Sequence, residues 1–331
     1  EDPKAFLTQF SGKVIFDEIQ RVPDLLSYLQ VAVDSDPEKG RYVLTGSHQL
    51  ALREAITQSL AGRTAILHLL PFSIAELVEN QLGFNSAEDY IYQGFLPRIY
   101  DQQQRPTPAY SNYYQTYVER DVRQLINLKD AAQFQKFMKL VAGRVGQLMD
   151  YASLAGDVGV SATTIKYWLS ILEASFILHK LSPYYDNFGK RAIKSPKYYF
   201  IDTGLLSFLL GIENPAQVAR DPLVGQLFEN LVVMDFVKNR YNSGKLANLY
   251  FFRDSNGLEA DLLYQQGRNL TPIEIKSSST YKPELLKGLK RILELSPQMT
   301  EAYLVYAGGP MKFSNGINAI RFDQLAATFN Q

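Results

Sequence analysis

At 331 residues the chain has room for about two domains of ~150 residues each, and a composition of 46% hydrophobic and 21% charged residues is that of folded globular protein. Its 34 Lys and Arg balance 34 Asp and Glu, which excludes a wholly polycationic surface but leaves room for a local basic groove. Without cysteine it can form no disulfide, no thiolate zinc or iron–sulfur centre and no cysteine nucleophile.

Residues 13–16 (KVIF) read as a short buried strand ending in Asp17-Glu18. A helix is predicted over 23–33, with Leu25, Leu26, Leu29 and Val33 as its apolar residues. Residues 41–44 (RYVL) form a second strand that ends in Thr45-Gly46-Ser47. A helix over 50–59, a stop at Gly62 and a third strand over 64–70 follow. Strands alternating with helices imply an α/β layer with a parallel sheet.

From Pro71 the pattern turns helical. Ser73 and Glu76 have capping-box spacing, and helices are predicted over 88–92, 108–121 and 131–145. The polar, Pro-containing stretch 102–108 (QQQRPTP) reads as a linker. Tyr110, Tyr113, Tyr114 and Tyr117 recur at i, i+3, i+4 and i+7, either as a buried helix face or as a base-stacking platform. Next come a short helix over 151–155, a turn at 156–159, a Ser161-capped helix over 162–172 and a strand over 176–181. This is the layout of a winged helix-turn-helix. Thr163, Thr164 and Lys166 would be the DNA-facing side chains of its second helix. With one base among the three, a packing module is the alternative.

Past Pro183, strands are predicted at 198–201, 249–252, 258–264, 271–276 and, last, 302–306. Helices are predicted at 223–239 and 283–295, with a hairpin turn at 254–257 (DSNG). This is a second α/β layer with a mixed sheet.

Two constellations carry chemistry. In the first, VIFDE has the form of a Walker B motif. The strand is apolar because it is buried, Asp17 then reaches the sheet edge where Mg²⁺ on nucleotide phosphates would lie, and Glu18 is placed to polarise an attacking water. Thr45 and Ser47 offer polar groups at the same edge, and Arg63 could act as an arginine finger toward a second copy. The ordered segments VIFDEIQ, RYVLTGS, SLAGR and LPFS, then YVERD (117–121), IDTGL (201–205) and GQLFEN (225–230), resemble the bacterial and archaeal AAA-type ATPases that carry a C-terminal DUF4143 domain. The resemblance spans nearly the whole chain and implies ATP and Mg²⁺ as ligands. No GxxxxGK(S/T) loop precedes Val14 or occurs elsewhere, and thirteen residues cannot hold the strand, loop and helix it needs. The chain also opens EDPKAF without an initiator Met. It therefore reads as a fragment that should not bind ATP tightly, with ATP hydrolysis expected of the parent protein.

In the second constellation, Glu229 lies on a helix, Asp261 on a strand, and Glu274 and Lys276 on the next strand (PIEIK). A side-chain period of two puts Glu274 and Lys276 on one face. Carboxylates around Mg²⁺ or Mn²⁺ beside a lysine suit phosphodiester hydrolysis, and the set resembles the PD-(D/E)xK nuclease superfamily. Glu259 shares a face with Asp261. A solvated face with an ion-pair network is the plain alternative, as it is for the basic run Lys282, Lys287, Lys290 and Arg291.

The expected architecture is thus an α/β multidomain chain. It comprises a partial P-loop parallel sheet (1–80), a helical lid or linker (81–130), a winged helix (131–182) and a nuclease-like mixed sheet (183–331). Two functions compete: an ATP-driven switch controlling a DNA-binding or nuclease-like module, and an ATP-regulated assembly protein with a C-terminal interaction domain. Partners would be ATP, DNA and a second copy through Arg63. No stretch approaches the ~20 apolar residues of a membrane span, and no leader is evident, so a cytoplasmic location is expected. His48, His68 and His179 are too scattered for a histidine-rich metal centre.

Overall fold

The computed structural model describes residues 2–36, 38–46, 60–126, 130–184, 194–313 and 316–329. The chain forms two compact units, Glu1–Leu67 and His68–Gln331.

In the first unit β1 (Val14–Phe16) and β2 (Tyr42–Leu44) pair in parallel, Val14 opposite Tyr42 and Phe16 opposite Leu44. The helix Leu25–Ser35 covers them, burying Leu25, Leu26 and Leu29 with Leu7, Phe16 and Ile19. The helix expected over 50–59, Ser47 and His48 lie outside the described residues. The third strand expected at 64–70 does not form among the described residues. Alternation makes a strand only where another strand accepts its hydrogen bonds; here Ile66, Leu67 and Leu69 stand exposed.

The second unit is built on one mixed sheet of eight strands. They are β3 (Leu178–Pro183), β4 (Lys197–Phe200), β5 (Leu249–Arg253), β6 (Glu259–Gln266), β7 (Asn269–Lys276), β8 (Ala302–Tyr306), β9 (Met311–Lys312) and β10 (Ile317–Arg321), in the order β4-β3-β5-β6-β7-β8-β10-β9. Strand 302–306 is therefore not the last: β10 adds in parallel to β8, and β9 closes that edge. The period-two alternation is visible in burial. Leu262, Tyr264, Ile273 and Val305 join the large core with the helix Val224–Asn242, whereas Leu263, Leu270, Leu304 and Tyr306 pack on the opposite face. On that face the chain makes a 3₁₀ turn, Pro283–Leu286, before the helix Lys287–Leu293, in place of one helix over 283–295.

Three departures from expectation in the helical part bear on its packing. The linker ends early, because Pro106 occupies the first turn of the helix Pro106–Tyr113, where no N–H is required. That helix continues as a π-helix, Tyr114–Val122. The helix Tyr151–Val158 runs through the expected turn and stops at Gly159, whose φ of 89° suits only a residue without Cβ. Tyr110 and Tyr114 are buried, and Tyr113 stacks on Tyr117 with ring centroids 5.5 Å apart, so the tyrosine stripe is a packing face.

Buried charges lock this unit together. Asp202 accepts N–H bonds from Phe95 (2.8 Å), Gly204 (2.9 Å) and Leu205 (3.1 Å). Asp235 accepts from the Ile74 N–H (2.7 Å) and from the Asn239 amide (2.9 Å). Lys238 donates to the Phe72 carbonyl (2.9 Å) and lies 3.8 Å from the centre of the Phe95 ring. Burial lowers the Lys238 ammonium to about 8 and raises the Asp235 carboxyl to about 6. The LPFS and IDTGL segments are thus the joints between the helices at 71–113 and the sheet.

Candidate functional site

In the first unit the parallel strands deliver Asp17 and Thr45 to the same edge. The Thr45 N–H donates to the Phe16 carbonyl (3.0 Å), continuing the ladder, and the Thr45 hydroxyl donates to Asp17 Oδ1. The Glu18 N–H donates to Thr45 Oγ1 (3.3 Å), and Glu18 has φ 54°, a left-handed turn that ends the strand. Gln20 Nε2 donates to Glu18 Oε2. Thr45 therefore holds the Asp17 carboxylate and the Glu18 backbone, while Gln20 holds the Glu18 carboxylate. Arg63 is engaged within its own unit: Nε donates to Asp34 Oδ1 (2.5 Å) and Nη2 to Asp34 Oδ2 (3.0 Å). To act as a finger toward a second copy it would have to leave this two-pronged pair.

In the second unit the fold gathers Glu229, Asp261, Glu274 and Lys276. The antiparallel register Leu262↔Ile273 places Asp261 opposite Glu274. Lys276 Nζ stands 2.6 Å from Glu274 Oε1 and 3.4 Å from Asp261 Oδ2, and that Asp261 oxygen also accepts the Ile275 N–H (2.8 Å). Glu229 arrives from the helix Val224–Asn242. The next residue, Asn230, fixes the helix to β4 by donating to the Phe200 carbonyl (2.9 Å) and accepting the Phe200 N–H (2.7 Å).

Three further members come from outside the expected set. Lys197 Nζ bridges Glu229 Oε1 (3.1 Å) and Glu259 Oε1 (2.9 Å), and Tyr199 donates its hydroxyl to Glu229 Oε1 (2.5 Å). Arg253 Nη1 lies 3.3 Å from Glu259 Oε2. A cavity of about 530 Å³ opens beside them, bordered also by Gly146, Gly225 and Gln226. Four carboxylates thus share three cations. Burial, then the Asp261 charge, push both Glu229 and Glu274 up to about 7, against the opposing pull of Lys197 and Lys276. For Lys197 the carboxylates override a burial that would otherwise deprotonate it, so its ammonium is held.

As they stand, no three His, Cys, Asp or Glu side chains among the described residues are grouped to hold a metal ion. The reason is the lysines: each pair of acids closes on an ammonium. A divalent cation at Asp261 and Glu274 would have to displace Lys276.

The Glu229 carboxyl gives a pH test. Its value rises from 4.5 unfolded to about 7 folded, so between these values the folded chain holds a proton that the unfolded chain has released. That contribution to stability is full below pH 4.5 and is lost as the pH rises through 7. In metal-free buffer Glu229→Gln should match the wild type in acid and exceed it at pH ~8, by on the order of 1–3 kcal/mol in urea unfolding. A variant less stable than the wild type at the higher pH would show that the Lys197 and Tyr199 bonds outweigh burial.

Thr163, Thr164 and Lys166 lie on the helix Ala162–Ala174, away from this cluster in sequence. Thr164 Oγ1 bonds the Ser161 cap hydroxyl (2.8 Å), and Lys166 Nζ sits 5.1 Å from the centre of the Tyr151 ring. No helix among the described residues is long and apolar enough to cross a membrane.

A parallel-strand unit with carboxylates at its edge, followed by a mixed sheet around an acid–lysine pocket, defines an α/β protein of two parts. The sequence matches the family described as AAA domain over residues 1–78 and two families described as domains of unknown function, DUF8612 over 85–216 and DUF4143 over 224–325. It is 30% identical over 332 residues to uncharacterized proteins of Mycobacterium tuberculosis and Mycobacterium bovis, a match covering 99% of this chain and 72% of each relative. An uncharacterized protein of Haemophilus influenzae is 24% identical over 246 residues, covering 69% of this chain and 58% of that protein. The chain belongs to the family of AAA-type proteins with a C-terminal DUF4143 domain.

Proposed function

We propose that this chain is part of an ATP-using, AAA-type switch that controls a nuclease-like module directed at DNA. In the first unit Asp17, oriented by the Thr45 hydroxyl, would face Mg²⁺ on the nucleotide phosphates, with Glu18 polarising the attacking water and Ser47 near the γ-phosphate. In the second, Glu229, Asp261, Glu274 and Lys276 would address a phosphodiester, and Thr163, Thr164 and Lys166 would touch the duplex. The observation that supports the reading is the meeting of these four side chains, from one helix and two adjacent strands, with Glu229, Asp261 and Lys276 lining a cavity of about 530 Å³.

The test is binding and cleavage of linear duplex DNA with Mg²⁺ or Mn²⁺ present. Salt-sensitive binding is expected, together with metal-dependent cleavage that falls at least 100-fold in Glu274→Ala/Lys276→Ala. Cleavage persisting in the double variant would place the chemistry elsewhere.

One observation favours a second reading, an ATP-regulated assembly protein whose second unit binds other proteins without cutting. Lys197 and Lys276 already neutralise the acids in pairs. Folded protein with neither DNA binding nor cleavage supports that reading.

A further inference from the structure

The two lysines of the pocket hold their acids in different ways. Lys276 is 39% exposed and reaches Asp261 and Glu274 from the rim. Its partly exposed side chain leaves its ammonium a path to water if a divalent cation takes over its two acids. Lys197 is only 4% exposed, less than the 14% of Glu229 and the 25% of Glu259 that it joins. Its side chain is therefore the least exposed of the three. It stands on an otherwise apolar strand, KYYF, and lies 5.4 Å from the centre of the Phe251 ring. Tyr199 secures the Glu229 oxygen from the same strand. A lysine is buried this deeply only when paired, and withdrawing it would strand two carboxylates.

We propose that Lys197 is a resident internal cation, whose ammonium fills the place between Glu229 and Glu259 and confines any divalent metal to the Asp261–Glu274 end of the pocket. An ammonium with N–O distances of 2.9 and 3.1 Å and a metal needing oxygens at ~2.1 Å cannot share that place. The pocket is then a single-metal site, entered by displacing Lys276, with Glu229 and Glu259 held in position by Lys197 and not as metal ligands. This rests on the reading of the pocket as cation-using. Its test uses no DNA, so a failure of cleavage and a failure of this assignment remain separate results.

The probe is Mn²⁺ alone, titrated into the full chain and followed by electron paramagnetic resonance and calorimetry. Lys197→Met keeps the length of the side chain and the contact with Phe251 but removes the charge. It should bind Mn²⁺ at least tenfold more tightly than the wild type or take up a second ion, and that gain should vanish in Lys197→Met/Glu229→Gln. Its metal-free Tm should fall and recover with Mn²⁺. Lys197→Gln is expected to behave as Lys197→Met and serves if the latter does not fold by circular dichroism. Uncharged variants that bind Mn²⁺ no more tightly than the wild type, including no binding in either, overturn the assignment.

Discussion

Asp202→Ala is expected to destabilise the second unit by about 3–5 kcal/mol, with a fall in Tm of roughly 10 °C. Asp202 is buried and accepts three N–H groups: those of Gly204 and Leu205 at the start of the helix Thr203–Leu209, and that of Phe95 from a segment 107 positions earlier. Alanine removes a helix cap worth ~1 kcal/mol and leaves the Phe95 donor buried without its acceptor. Asp202→Asn retains one acceptor oxygen and should lose less. Urea unfolding of the two variants checks the order, and a loss below ~1.5 kcal/mol for alanine would mean that water or another carbonyl takes over the orphaned donors.

Gly204→Ala should be nearly as damaging although it adds one methyl group. A Cβ at this position would lie 2.2 to 2.5 Å from the Tyr110 ring and hydroxyl. Tyr110 is itself buried and cannot swing into solvent. Gly94 meets the same hydroxyl from another side, with a φ of +69°. The tyrosine is thus wedged between two glycines. Overpacking of this kind costs about 1–3 kcal/mol or more, because backbone has to move. The urea midpoint of Gly204→Ala measures it, and a wild-type midpoint would show that the Tyr110 ring has another resting place.

These joints explain what the sequence could reveal. The strand ends were legible because apolar runs and alternation are local properties: VIF before Asp17-Glu18, and PIEIK with Glu274 and Lys276 two apart; the burial expected of VIF holds only for Phe16, since Ile15 is 69% exposed. The acids Glu229, Asp261 and Glu274 meet because neighbouring strands and the helix over them are close in the chain. Lys197 was not legible. It sits 32 positions before Glu229 and 62 before Glu259, on a strand that joins the rest of the sheet only through β3, which pairs in parallel with β5. A lysine opening an apolar strand was the sole available signal. Arg253 was hidden in the same way. The stretch 64–70 misled in the opposite sense: a strand is a property of two segments, and among the described residues none pairs with it. The π-helix at Tyr114–Val122 gave no sign, because its extra residue per turn leaves the side-chain types unchanged.

The sheet order has a consequence for how this part of the chain can change over generations. β3 and β4 belong to the stretch matched as one domain of unknown function, yet they hydrogen-bond into the same sheet as β5 to β10, which belong to the other. Lys197 and Tyr199 come from the first stretch, Glu229, Asp261 and Glu274 from the second. Neither stretch contains a whole pocket, and neither can close the sheet without the other. A recombination between residues 216 and 224 would therefore join half a sheet to a stranger's half, and every ammonium–carboxylate pair across the seam would have to be matched anew.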